Sequence, residues 1–217
     1  MQKGSIVRRL ISALLATFVF SCVIGVQPAT AKPDRKLQTT LAELWKTILE
    51  TPKPDNPFGT GDSCVELGSR VVAPFGPLGD EPTTCTVRPG TKIFVTAVSW
   101  ECSTVETPPS YGADEAQLRA CAREAVKGFT SRSITVDGRP VEVTRVETPL
   151  IPLDLPVDNI LEVSPQPALS VGVGWVALLK PLPPGTHRVV IRYSGTDPYG
   201  EPVNVTNPTT IIVKRGR

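Results

Sequence analysis

Apolar positions recur along this chain in two rhythms. Between residues 40 and 50, Leu41, Leu44, Trp45, Ile48 and Leu49 are spaced i, i+3, i+4, i+7 and i+8, which gathers them on one face of an α-helix. Thr40 and Glu43 stand in capping-box spacing at its start. Pro52 and Pro54 end it. A second helical stripe runs over residues 114–127, where Leu118, Cys121, Ala122, Ala125 and Val126 share a face. Asp114 and Gln117 supply its start signal and Gly128 its stop.

Elsewhere the period is two. Over residues 92–100, Ile93, Val95 and Ala97 fall on one side and Phe94, Val98 and Trp100 on the other. Two apolar faces predict a central strand. Asp137-Gly138, between residues 133–136 and 141–146, predicts a hairpin, because the pair tolerates the positive φ angles of a type I′ turn. Further strands are predicted at 160–163, 170–179, 187–193 and 209–213. Along 170–179, Trp175 keeps step with Val171, Val173 and Ala177 and reads as core. Gly172 and Gly174 take the opposite face and leave room for a backbone or a helix to come close. Pro183-Pro184-Gly185 and Pro198-Tyr199-Gly200 mark turns. The whole pattern predicts a mainly β fold: an antiparallel β-sandwich or jelly-roll-like domain with two α-helices, at about 40–50 and 114–127.

The N-terminus carries a different signal. Lys3, Arg8 and Arg9 precede an apolar run over residues 10–26, and Ala29-Thr30-Ala31 supplies small residues at the positions a signal peptidase reads. We expect cleavage after Ala31. Cys22 follows Phe20 and Ser21, a poor lipobox. Residues 1–31 are thus expected to be a signal peptide, 32–38 a disordered mature N-terminus, and 39–217 a single β-rich domain with helical additions. The leader holds three basic and no acidic side chains, so the remaining 186 residues carry 20 basic and 21 acidic ones. A near-neutral mature chain offers no electrostatic argument for nucleic acid. No later segment has the length and apolarity of a transmembrane helix.

Export changes the meaning of the cysteines. Cys64, Cys85, Cys102 and Cys121 remain after cleavage. Four cysteines allow three pairings; Cys64–Cys85 with Cys102–Cys121 is favoured because each closes a short loop. No C-x-x-C occurs and the chain has a single histidine, so the spacing does not suit zinc. No metal and no cofactor is expected.

The order of these features resembles a family of uncharacterised secreted bacterial proteins, mainly actinobacterial. The matching pieces are the Trp45-bearing helix followed by Asp55-Asn56-Pro57, and Cys85-Thr86-Val87 with Pro89-Gly90 before a strand. The stretch Glu101-Cys102-Ser103-Thr104-Val105-Glu106 and the segment Leu182-Pro183-Pro184-Gly185-Thr186-His187 complete them. The resemblance implies a secreted or envelope location and a β-rich, disulfide-bearing domain. It implies no activity.

Candidate chemistry is sparse. There is no G-x-S-x-G elbow, H-E-x-x-H, P-loop or EF-hand spacing. His187, the single histidine, begins a strand and reads as a residue bonded to the turn before it. Glu101 and Glu106 flank Cys102 at the end of a central strand and are the candidate catalytic residues, since paired carboxylates can divide acid and base roles in glycoside hydrolysis. Asp55, Asn56 and Asp62, and Asp154 and Asp158, lie in loops but match no calcium-loop spacing; turn chemistry accounts for them. Tyr111 and Tyr199, in loops, are the candidate binding aromatics. The leading expectation is a non-catalytic extracellular module that binds a glycan, a cell-wall polymer or an extracellular protein. The alternative is a secreted glycan-directed hydrolase using Glu101 and Glu106.

Overall fold

A computed structural model describes residues 34–60, 64–68, 70–74 and 83–215. The proposed leader, residues 1–31, and Asp62 lie outside them.

Helix α1 spans Arg35–Glu50, and Asp34 caps it: its Oδ1 accepts from the N–H groups of Lys36 (2.9 Å) and Leu37 (3.3 Å). The helix therefore begins five residues before the predicted Thr40 cap, and residues 35–38, expected to be disordered, form its first turn. Leu37 is the reason: it is buried beside Leu41 and Leu44 and extends the apolar stripe by a turn. At the other end the buried Asn56 donates from Nδ2 to the carbonyls of Ile48 (2.7 Å) and Thr51 (2.9 Å), satisfying acceptors that a helix end leaves open. A short helix α2 follows at Pro57–Thr60.

Eleven strands are described: β1 Cys64–Glu66, β2 Val71–Pro74, β3 Thr83–Val87, β4 Lys92–Ser103, β5 Phe129–Val136, β6 Arg139–Val141, β7 Thr144–Glu147, β8 Ile151–Leu155, β9 Gln166–Leu179, β10 Gly185–Thr196 and β11 Pro202–Val213. They form two sheets, ordered β1-β2-β4-β9-β7 with β8 also on β9, and β3-β11-β10-β5-β6. Pairing is antiparallel except at β2–β4 and β3–β11. The fold is a mainly β, sandwich-like domain. Its inner core places Ile93, Val95 and Ala177 against Ile134, Val189 and Ile211. α1 covers the outer face of the first sheet, over Phe94, Val146 and Val176. Helix α3, Glu115–Ala125, packs Leu118 and Ala122 on Val98, Cys102 and Val171. Its cap is the expected one, with Asp114 Oδ1 accepting from Gln117 N–H (2.9 Å).

The central strand differs from strict alternation in one respect. Thr96 lies opposite Val176 but Val98 opposite Trp175, so Ala97 is an extra residue, a β-bulge. Beyond it the faces exchange. Val98 and Cys102 join the inner side with Ile93 and Val95, and Trp100 packs there with them, whereas Phe94 stays against α1. The sequence had put Phe94, Val98 and Trp100 together.

Opposite the bulged strand, Gly172 does what its position suggested. A Cβ there would stand 2.7 Å from Cδ1 of Trp45, so only glycine lets α1 seat its indole on β9. Trp45 Nε1 donates to Ser99 Oγ (2.9 Å), which donates to the Val173 carbonyl (3.0 Å).

Two further differences concern the loops. The predicted 141–146 strand is split: β6 ends at Val141 on the second sheet and β7 starts at Thr144 on the first. Residues 160–163 are not a strand. The buried Asn159 holds them in a turn, donating to the carbonyls of Pro156 (2.8 Å) and Val163 (2.7 Å). The strand of this region is β8, where Ile151, Leu153 and Leu155 point inward; Pro152 and Asp154 alternate with them and disguise it.

Both expected disulfides are present. Cys64–Cys85 joins β1 to β3, an edge strand of each sheet, and Cys102–Cys121 joins β4 to α3.

Replacing Cys102 and Cys121 together by alanine is expected to cost about 3 kcal/mol in denaturant unfolding; an unchanged midpoint would remove the bridge as a staple. Gly172→Ala is expected to cost about 1–3 kcal/mol through overpacking. The loss should shrink when Trp45→Leu is introduced alongside, and equal losses in both backgrounds would show that the indole is not the cause.

Candidate functional site

After the bulge, β4 presents Ser99, Glu101 and Ser103 to the α1 side. Glu101 lies opposite Gly172 and Ser103 opposite Ser170. Glu101 is 5% exposed and accepts a hydrogen bond from the Ser170 hydroxyl. The chain then turns back on itself: Ser103 N–H donates to the Ser110 carbonyl (3.0 Å), Gly112 N–H to the Ser103 carbonyl (3.2 Å), and Thr104 N–H to Leu169 (2.9 Å). This tight return brings the Glu106 carboxyl into hydrogen-bond contact with that of Glu101.

Burial holds the Glu101 carboxyl well above the ordinary range, and the neighbouring charge and hydrogen bond of Glu106 push it further, against the Ser170 hydroxyl. Burial also raises Glu106, while its hydrogen bonds from Glu101 and Ser103 favour its charge. Glu101 is thus the more strongly raised of the two, because it is the more deeply buried and faces the charge of Glu106. Oε2 of Glu106 is buried with no hydrogen-bond partner, as is Oγ1 of Thr96.

The pair lines a cavity of about 300 Å³. Leu44 and Trp45 of α1, with Ile160 and Leu161, wall one side; Trp100, Tyr193, Tyr199 and Val205 wall the other. Thr96, Ser99 and Glu101 lie between them. None of the described lining residues is basic. β2 meets β4 only at Lys92 and Ile93, and residues 110–112 meet it at Ser103. Between these points the β4 edge pairs with no strand among the described residues. Backbone direction alternates along a strand, so the N–H and C=O of Ser99 and Glu101 point the same way as those of Ser103, out of this edge.

The structure thus brings Glu101 and Glu106 together. Tyr199 also belongs to this site. It is 64% exposed and packs edge-on against Trp100, ring centres 6.0 Å apart. Tyr111 does not; it lines a separate hollow beside α3 with Gln117 and Glu124. His187 is committed elsewhere, with Nδ1 2.8 Å from Asp137 Oδ2 and Nε2 2.9 Å from the Pro183 carbonyl. The Asp137 carboxylate, then that carbonyl, raise its pKa, and neither ring nitrogen is left for a substrate. Among the described residues no group of three or more His, Cys, Asp or Glu could hold a metal ion.

Sequence reasoning missed Trp45, Thr96 and Ser99 as site residues. Trp45 was hidden inside a helical stripe; its signal was the glycine pair on β9. Thr96 and Ser99 carry no signal of their own, because the bulge decides where they face.

No protein-family model and no curated protein matches this chain. A solved structure, the solution structure of Amebosin, is similar over 64% of this chain and all of its own, at 11% identity and a TM-score of 0.20. A likeness that slight carries no argument about fold or function.

A carboxyl whose pKa rises on folding contributes stability below its unfolded value, and that contribution is lost as pH rises through the folded value. Glu101→Gln keeps an acceptor for Ser170 and a donor for Glu106 but cannot ionise. From about pH 4.5 to pH 8, the melting temperature of the wild type is expected to fall relative to the variant. The gap should reach ~2 °C or more, equivalent to roughly 1 kcal/mol in a chain this size. Parallel curves would show that burial does not raise the Glu101 carboxyl.

Proposed function

We propose that this chain is an exported, non-catalytic binding module of the extracellular space or cell envelope, processed after Ala31, whose ligand occupies the cavity along the open edge of β4. The observation that carries this reading is the concentration of Trp45, Trp100, Tyr193 and Tyr199 around one concave space, beside an edge of β4 that meets no strand among the described residues. Aromatic side chains supply large contact area at small conformational cost. Cavities with an apolar lining and a few convergent polar groups are the usual form of a ligand site.

Other features support the location. Two disulfides suit an oxidising compartment. Among the described residues no helix is long and apolar enough to cross a membrane. The near-neutral mature charge and the resemblance to secreted bacterial proteins agree with an envelope-associated role, with a glycan, a wall polymer or an extracellular protein as partner.

Cosedimentation of the exported protein with the insoluble envelope of the producing cell tests this. Tyr199→Ala removes an exposed ring and leaves the core intact, and should weaken association at least ~5-fold, the effect of losing one energetically important aromatic contact. Unchanged association in Tyr199→Ala would place binding away from the cavity, and absence of association would overturn the envelope role.

A further inference from the structure

The lining of this cavity is electrically lopsided. Two carboxyl groups, Glu101 and Glu106, face one another inside an aromatic and aliphatic enclosure. The charge acting on Glu101 is that of Glu106. Three cations of the flanking elements are engaged elsewhere. Lys46 of α1 pairs with Glu50 and bonds the Pro152 carbonyl. Lys53 pairs with Glu162 in the turn after β8. Arg119 of α3 pairs with Glu115 and with Glu147 of β7. Glu106 Oε2, buried and without a partner, is left as an unfilled acceptor. An uncompensated buried charge is expensive, and the faces of Trp and Tyr rings attract cations.

We propose that this cavity binds an ammonium group carried on a small apolar body, the ammonium seating against the carboxyls of Glu101 and Glu106, with the apolar part against Trp45, Trp100 and Tyr199. The proposal rests on the reading of the cavity as a ligand site and names the chemistry of its occupant. The step balances simply. The ligand enters as R–NH3⁺ and keeps its protons, and a proton held by the raised Glu101 carboxyl leaves to solvent. Ligand and proton therefore compete, and uptake tightens as pH rises.

Calorimetric titration of the protein with n-octylamine, 1-octanol and octanoate separates the possibilities, because the three share one apolar chain and differ in charge. Octylammonium is expected to bind at least ~10-fold more tightly than octanol, with octanoate weakest. Its affinity should rise as the pH rises from about 5.5 to 7.5, and titrations in buffers of different ionisation enthalpy should show protons released on binding. Glu106→Gln, checked for its fold by circular dichroism, is expected to erase the preference for octylammonium while leaving octanol binding in place; Glu101→Gln serves as the second variant. Octanol or octanoate binding as tightly as octylammonium overturns the ammonium assignment and leaves the binding-module reading standing. Binding of none of the three overturns the cavity as a ligand site, and both readings with it.

Discussion

One additional residue in one strand governs where the rest of this molecule meets. Without the bulge at Ala97, β4 would carry Val98, Trp100 and Cys102 toward α1, and Ser99, Glu101 and Ser103 into the space between the sheets. Cys102 would then face away from Cys121 of α3, and Glu101 would be directed at an apolar core. With the bulge, a single strand serves three neighbours: the second sheet through Ile93 and Val95, α3 through Val98 and Cys102, and α1 through Phe94 and Ser99. Bulges concentrate where a side chain must be re-aimed, and here the re-aimed side chain is Glu101.

The layering around that strand is asymmetric. Its inner face meets another sheet, where β-branched side chains interdigitate. Its outer face meets one amphipathic helix, and the fit there depends on a large residue against a missing one, Trp45 over Gly172. The indole is also hydrogen-bonded to Ser99, so the same contact that docks the helix sets one wall of the cavity. Scaffold and site are not separable at this point.

The elements that could be read from the sequence are those specified by local signals. The stripe of α1, the Asp114 cap of α3, the Asp137-Gly138 turn with φ values of 50° and 77°, the central position of β4 and both disulfides follow from spacing, propensity or loop length. What escaped was set by contacts distant in the chain. The start of α1 is fixed by Leu37 finding a place beside Leu41 on the outer face of the first sheet. β8 is interrupted by a proline that costs nothing at its exposed position, and residues 160–163 are bent by the side chain of Asn159. Of the site, Glu101, Glu106 and Tyr199 could be named in advance, but their convergence with Trp45 depends on the bulge, and no local pattern announces a bulge.

The recess along β4 has a consequence for how the protein behaves in a crowd of its own copies. An exposed strand edge is a template on which another chain can add, and it is a common route to aggregation. Here residues 96–101 pair with β9 on one side, and their other edge, which meets no strand among the described residues, lies between the α1 wall and the Trp100–Tyr199 wall. An approaching sheet edge from a second molecule is broad and stiff and cannot enter a space of about 300 Å³. The walls that flank this edge thereby stand between it and the edge strand of a second molecule.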